Sequence, residues 1–320
     1  MDLVFIDGLS FALILLIMAV AAIYSEKSGV VNLAIEGLQG FGAFIGALTA
    51  ILITHYTNDS SSSWIMYVAL LAAMVGGMVY SMLHAVLCVK FQSNQVISGV
   101  VINILSVALT GFLTSVINQA ITGQASNKFM VGVSPRFDVP YLKDIPVIGA
   151  LFKSMYPFEI IILVIVFIAW YVLYKTSFGM HLRACGENPH AVDAAGGNVN
   201  KTRFIAVMVS GALSGLGGMC VAYSISAQFS PTIYMGYGYL AIAAMIFGNW
   251  RIIPTTLACF FFGFARSGGY KLCLVLGLSS NVSELLMMLP YVLTLLLLVF
   301  FSKNTHAPAA GGQPFDKGRR

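Results

Sequence analysis

Few residues in this chain's long apolar stretches can ionise or hydrogen-bond, and their spacing limits the chemistry available. Asn32 and Glu36 are four positions apart, which places both on one helix face at the mouth of an apolar run ending near Ile53. A carboxylate at the centre of a membrane helix costs about 2.5 to 3.5 kcal/mol on insertion scales, so a retained one lines a cavity or has a partner. Further on, Asn94, Ser98 and Asn103 interrupt another apolar run that reaches about Ile117. Amides and hydroxyls of this kind suit an uncharged, hydrogen-bonding solute, and suit bonds between helices equally well. Asn32, Glu36, Asn94, Ser98 and Asn103 are therefore the candidate substrate-pathway residues. Glu284, at the start of the last apolar run, is a second carboxylate of the same type, while Asp7 and Glu159 fall at the ends of runs.

The motifs that would support catalysis are missing. GxxxxGK[ST], GxSxG, HExxH and CxxC do not occur, and the five histidines are far apart. His84 alone lies well inside a run and reads as a structural histidine. The cysteines (Cys88, Cys185, Cys220, Cys259, Cys273) lack paired spacing and read as small core residues. The expectation is a chain with no catalytic residues, no metal and no bound cofactor. Ionisable relays are too few for proton or sodium coupling, so the energy source should lie in another subunit.

The elements that position these residues follow from composition. Hydrophobic residues make up 58% and charged residues 9%, and the mean hydropathy is +0.88; a soluble domain carries about 25% charged residues. The expected fold class is an all-α polytopic integral membrane protein with eight or nine transmembrane helices, in contact with membrane lipids. The formal charge of +5 comes from basic residues scattered between apolar runs, which is a topology signal and not a nucleic-acid surface. Runs at about 9–24, 30–53, 64–89, 95–117, 160–174, 204–223 and 285–301 read as spans. Two shorter runs, ending at Phe247 and covering 252–265, are each about 12 to 14 residues and fit re-entrant half-helices as well as crossings. Residues 1–301 are thus expected to form a transmembrane domain, with an extracytoplasmic loop at 119–158, a cytoplasmic loop at 176–203 and a flexible cytoplasmic tail at 302–320. Placing that second loop and the tail in the cytoplasm leaves about 11 basic residues inside and about 6 outside, with the N-terminus outside. No basic residue precedes the first run, so it reads as a retained span rather than a signal peptide.

Two stretches carry local structural rules. In the polar island His181–Asn200, Asn188 suits an N-cap, Pro189 the first helical position, and Gly196-Gly197 a left-handed end. The resulting helix of roughly two turns is too short to stand alone in water. In the 204–223 run, Gly211, Ser214, Gly215 and Gly218 form overlapping small-xxx-small pairs, a packing surface for another helix.

Four stretches also carry a family likeness. Ser25-Glu26-Lys27-Ser28-Gly29-Val30-Val31-Asn32-Leu33-Ala34-Ile35-Glu36-Gly37 resembles the SERSGVVNIGLEG stretch of permease subunits of bacterial ABC importers for nucleosides, the group served by basic-membrane-protein lipoproteins. Asn94-Gln95-Val96-Ile97-Ser98 through Asn103 resembles that group's NEVIS...LN segment, with Gln95 where glutamate is usual. Leu182 through Gly196 is similar to the LRAVGENPxAAxxAGI loop of the wider sugar, nucleoside and branched-chain amino acid permease group, with Gly197 in place of the usual aliphatic residue. Tyr239 to Trp250 resembles the GYxAIAVAxLGxW segment.

The resemblance implies a permease subunit of an ABC importer in the bacterial cytoplasmic (inner) membrane, carrying nucleosides, purine ones first. It implies a second homologous permease, a cytoplasmic ATPase that binds ATP and Mg, and an extracytoplasmic substrate-binding lipoprotein. Gly186, Glu187, Asn188, Pro189, Ala191, Asp193 and Gly196 would then contact the ATPase. Ribose-type permeases differ at the first motif, which favours nucleosides. The alternatives are a sugar or branched-chain amino acid permease, or a stand-alone carrier or channel.

Overall fold

The structure is a computed structural model that describes residues 2–57, 62–132, 135–141, 149–277, 288, 290–292, 294 and 306–318. The last apolar run, with Glu284, lies outside the described residues, apart from a few isolated positions. The first helix, α1 (Asp2–Lys27), is apolar on every side, and a helix of that kind must be surrounded. From Phe11 to Tyr24 no side chain is more than 3% exposed. Around it stand α5 (Pro157–Lys175), α8 (Val199–Val221), α9 (Tyr237–Phe247) and α10 (Ile252–Leu276).

A second layer forms where α8 meets α2 (Ile35–Thr57) and α3 (Trp64–Ala85). The small residues of α8 let the backbones approach closely. A Cβ on Gly215 would overlap the Ala73 carbonyl and press on Gly77, and Gly211 lies in the same way against Ser81 and Gly77. Gly218 faces the backbone of Gln39 on α2, and Ser214 is buried between these contacts. α4 (Gln95–Thr122) packs on α2 and keeps an apolar outer face, with Ile97, Val101, Ile104 and Phe112 exposed. Among the described residues, six helices are long and apolar enough to cross a membrane, namely α1 to α5 and α8, counting the wide turns that extend α3 to Lys90 and α8 to Ser226.

Two elements differ from expectation. The 252–265 run continues as helix to Leu276, so α10 has 25 residues and a length of about 38 Å, enough to cross a hydrocarbon core of about 30 Å. Ser267, Gly268 and Lys271 break the hydropathy but not the backbone ladder. Arg266 is held inside this stretch, stacked 4.3 Å from the Phe11 ring and donating to the Tyr237 hydroxyl at 3.1 Å. The island is also more ordered than a loop with one short helix. α6 (Ser177–Glu187) leads into α7 (Pro189–Ala194), and α8 begins at Val199, earlier than the apolar run itself.

The two ends of the molecule collect different segments. At one end, β1 (Phe129–Met130) in the long 119–158 loop pairs antiparallel with β2 (Gln228–Phe229) after α8. At the other end meet the α1–α2 elbow, the turn at 91–94, the island and residues 306–318 of the tail.

Candidate functional site

The chain between β2 and α9 holds no continuous helix. Residues 231–236 are turns that end at Gly236, which has a φ of +91°. α9 then runs for 11 residues, about 16 Å or half a bilayer core. Its first residues sit beside Glu36, and the chain just past its last residue sits beside Glu26, where Trp250 Nε1 donates to Glu26 Oε2 at 2.6 Å. Non-helical backbone at membrane depth is tolerated where it is buried in protein or lines a cavity.

A cavity of about 450 Å³ is present there, lined by Glu36, Asn103, Ser106, Pro231, Tyr234 and Tyr239 among others. Glu36, in the first turn of α2, accepts from the Gly236 N–H at 2.9 Å and from the Tyr239 N–H. A carboxylate is well placed at a helix N-terminus, where free N–H groups and the helix dipole both favour negative charge. Asn103 on α4 has every polar atom engaged. Its Oδ1 accepts from the Gly37 N–H at 2.7 Å, and its Nδ2 donates to the Leu33 carbonyl at 2.8 Å and the Tyr239 hydroxyl at 3.1 Å. Ser106 Oγ donates to the Gly37 carbonyl at 2.8 Å. The wall is thus built from helix ends tied together by side chains. It presents two tyrosine rings, a carboxylate, an amide and a hydroxyl to the space.

Of the five pathway candidates, Glu36 and Asn103 line this cavity. The other three hold backbone or other side chains elsewhere. Asn32 is fully buried, with Nδ2 donating to Ser210 at 3.0 Å and Oδ1 accepting from the Ala34 N–H at 3.0 Å. Asn94 caps α4 by accepting from the Val96 and Ile97 N–H groups. Ser98 pairs with His84 Nδ1 at 2.9 Å, and His84 Nε2 reaches the Val31 carbonyl at 3.2 Å, so the histidine is fully engaged. Gln95 Oε1 accepts from the Val31 N–H at 2.7 Å, a bond that glutamate would make equally well. Tyr234, Tyr239 and Ser106 were not among the candidates. The alternation of Tyr and Gly from Tyr234 to Tyr239 was the signal that could have pointed to the first two. Glu159 is buried where α5 meets α1, and Ser10 Oγ donates to it.

In the island, Asn188 Oδ1 accepts from the Ala191 N–H at 3.1 Å, Pro189 occupies the first turn of α7, and Gly196 has a φ of +83°. These are the cap, start and left-handed end expected from the local sequence. Glu187, His190 and Ala191 are exposed, while Gly186, Pro189 and Val192 are buried. All five cysteines are buried and unpaired. The burial of Cys185 raises its thiol pKa above the ordinary value, against a pull downward from the Arg203 guanidinium.

Residues 4–298 match the family described as the branched-chain amino acid transport system / permease component. The chain belongs to this permease family. It is 37% identical over 314 residues to the guanosine ABC transporter permease protein NupQ of Bacillus subtilis, covering 98% of this chain and 96% of the other. It is 35% identical over 306 residues to the nucleoside ABC transporter permease protein NupC of Lactococcus lactis, covering 95% and 94%. It is also 31% identical over 254 residues to the putative glucose ABC transporter permease protein TsgC13 of Haloferax volcanii, covering 79% and 72%. No solved structure matches. As a multi-pass membrane protein, the permease has its broken element, its cavity and the short helix α7 in one continuous arrangement. α9 starts at the cavity, and the chain beyond it returns to the end of the molecule where the island lies.

Proposed function

We propose that this permease is the membrane subunit of an ABC importer in the bacterial cytoplasmic membrane and carries nucleosides, guanosine-like purines first. The observation that carries this reading is its near full-length identity to two relatives named for guanosine and nucleoside transport. The glucose-named relative supports a sugar as the second reading, through a shorter alignment. The cavity is consistent with either solute. At about 450 Å³ it falls within the usual range of about 300 to 1,000 Å³ for small-molecule sites. Its tyrosine rings suit a planar base, and its amide, hydroxyl and carboxylate suit a ribose or a sugar.

The energy comes from a separate ATPase that binds ATP and Mg, and solute is delivered by an extracytoplasmic binding protein. A second homologous permease completes the membrane unit. The ATPase contacts Gly186 to Gly196, with α7 as the coupling element. ATP-driven closure pushes α7, and the neighbouring helices change which side of the cavity is open. Residues 227–247 make a single broken crossing and α10 a full one. Because the tail meets the island, and the N-terminal end of α1 lies opposite, the number of crossings is odd, which favours nine over eight.

Two measurements test the reading. Cells lacking this chain are expected to regain labelled guanosine uptake, and not glucose uptake, when it is restored; the reverse result would move the assignment to sugars. Ala191→Pro removes the N–H that Asn188 caps, and is expected to abolish ATP-dependent uptake while the protein still inserts. Normal uptake by that variant would refute the coupling role of α7.

A further inference from the structure

Arg203, the fifth residue of α8, is 2% exposed, yet no carboxylate pairs with it among the described residues. A buried guanidinium is strongly destabilising unless hydrogen bonds compensate its lost hydration. Here backbone carbonyls do so. Nε donates to Ser28 O at 3.0 Å, Nη1 to Gln313 O at 2.9 Å and Nη2 to Cys185 O at 3.4 Å. These acceptors belong to separate segments, which are the elbow between α1 and α2, the tail and α6. A planar fork of fixed donors can hold such a junction in one geometry, and the single ammonium of lysine cannot.

Residues 306–318 continue the same junction. The Ala310 N–H donates to Gly186 O at 2.8 Å, just ahead of α7, and the Gly312 N–H donates to Gly29 O in the elbow at 3.1 Å. Gln92 Nε2, between α3 and α4, donates to Phe315 O at 3.0 Å. The Phe315 side chain is buried with Cys185, Val192 and Val199, its ring 5.2 Å from that of His190. Lys317 lies 3.6 Å from Asp193 on α7. Gly29 has a φ of +92°, and a Cβ there would press on the Arg203 guanidinium. The elbow then runs directly into α2, whose first turn carries Glu36 at the cavity.

We propose that residues 306–318 form a strap, with Arg203 as the positioning residue at its centre, that transmits displacement of α7 to the α1–α2 elbow and so to Glu36. This rests on the reading of α7 as the ATPase contact. The strap gives α7 a second mechanical connection to the cavity, one that runs over the start of α8 through Arg203 and not along the length of α5 or α8. Coupling of this type is modulated by residues that touch neither ligand, typically by a factor of about 2 to 30.

The test uses the complete importer in proteoliposomes and measures solute moved per ATP hydrolysed. Phe315→Ala should loosen the strap and make Cys185, fully buried in the intact protein, reactive toward maleimide. Uptake per ATP is then expected to fall by about tenfold, while ATP hydrolysis stays within about twofold. Arg203→Met should do the same, and Arg203→Lys should recover part of the ratio. If Cys185 becomes reactive and uptake per ATP does not change, the proposal fails. A variant that assembles poorly is bypassed by hydrogen exchange in the unmodified importer. There the Ala310 and Gly312 amides are expected to stay protected with and without trapped nucleotide, and loss of protection on trapping would equally overturn a transmitting strap. Failure of the α7 reading looks different, because Ala191→Pro would then retain coupled uptake whatever the tail variants do.

Discussion

Asn103→Leu removes the side chain that joins three elements at the cavity, and its cost can be worked from the structure. The Gly37 N–H belongs to the first turn of α2, where backbone donors lack partners in their own helix. The Leu38 N–H bonds to Ala34 O at 2.9 Å, but the Gly37 N–H depends on Asn103 Oδ1 at 2.7 Å. The leucine variant leaves that donor and the Leu33 carbonyl without their partner. An unsatisfied buried group costs about 1 to 3 kcal/mol, so local opening of the first turn of α2 should become about 5- to 150-fold more frequent. Gly37 is buried at the cavity wall, so its amide exchanges only when this turn opens, and hydrogen exchange over residues 33–40 in nanodiscs reads this change directly. Asn103→Asp keeps an acceptor for Gly37 but loses the donor to Leu33, and should fall between leucine and wild type. Exchange in the leucine variant within about twofold of wild type would refute the view that Asn103 holds the cavity wall.

Three further outcomes are expected. Gly215→Val forces a side chain into the Ala73 carbonyl and should destabilise the α2–α3–α8 layer by about 1 to 3 kcal/mol or more, seen as a lower unfolding temperature and a lower yield of monodisperse protein. Gln95→Glu keeps the acceptor for the Val31 N–H and should leave uptake within about twofold of wild type, whereas Gln95→Leu should cost about 1 to 3 kcal/mol of stability. Ala108→Trp, from an exposed position that lines the cavity, should block uptake while the importer still assembles and hydrolyses ATP; unimpaired uptake would place the solute path elsewhere.

What the sequence revealed depended on the range of the interaction. Asn188, Pro189 and Gly196 act within a few residues of themselves, so capping and turn rules predicted the ends of α7 from type and order alone. Asn32 and Asn103 are both amides in apolar surroundings and could not be told apart. Only the folded chain brings Ser210 to one and Tyr239 to the other, 178 and 136 positions away. α10 was cut short because hydropathy records side chains, whereas helix continuity is a property of the backbone. The run loses its apolar character at Arg266 while the ladder continues to Leu276. The tail was read as solvated because Pro, Gly and basic residues bury little apolar surface. Its attachment comes mainly from backbone groups paired with distant carbonyls and from one phenylalanine, and a composition rule registers neither.

A common physical pattern links the cavity to the strap. The chain has few charges, and its buried polar side chains mostly bond to backbone rather than to one another. Glu36 accepts from the start of α9, Asn103 from the start of α2, Gln95 from the elbow, and Arg203 donates to carbonyls of three segments. Each bond attaches a helix end or a turn to an element far away in sequence, which is what allows a helix to stop and restart at membrane depth without stranding its free groups. Small-residue packing makes α2, α3 and α8 a close-packed unit. The elbow and the start of α9 are held by a few directional bonds, and those can change geometry at smaller cost than a close-packed interface. On the proposed coupling role of α7, a push there should be felt at the elbow and at the mouth of α9, where Glu36 and the two tyrosines face the cavity.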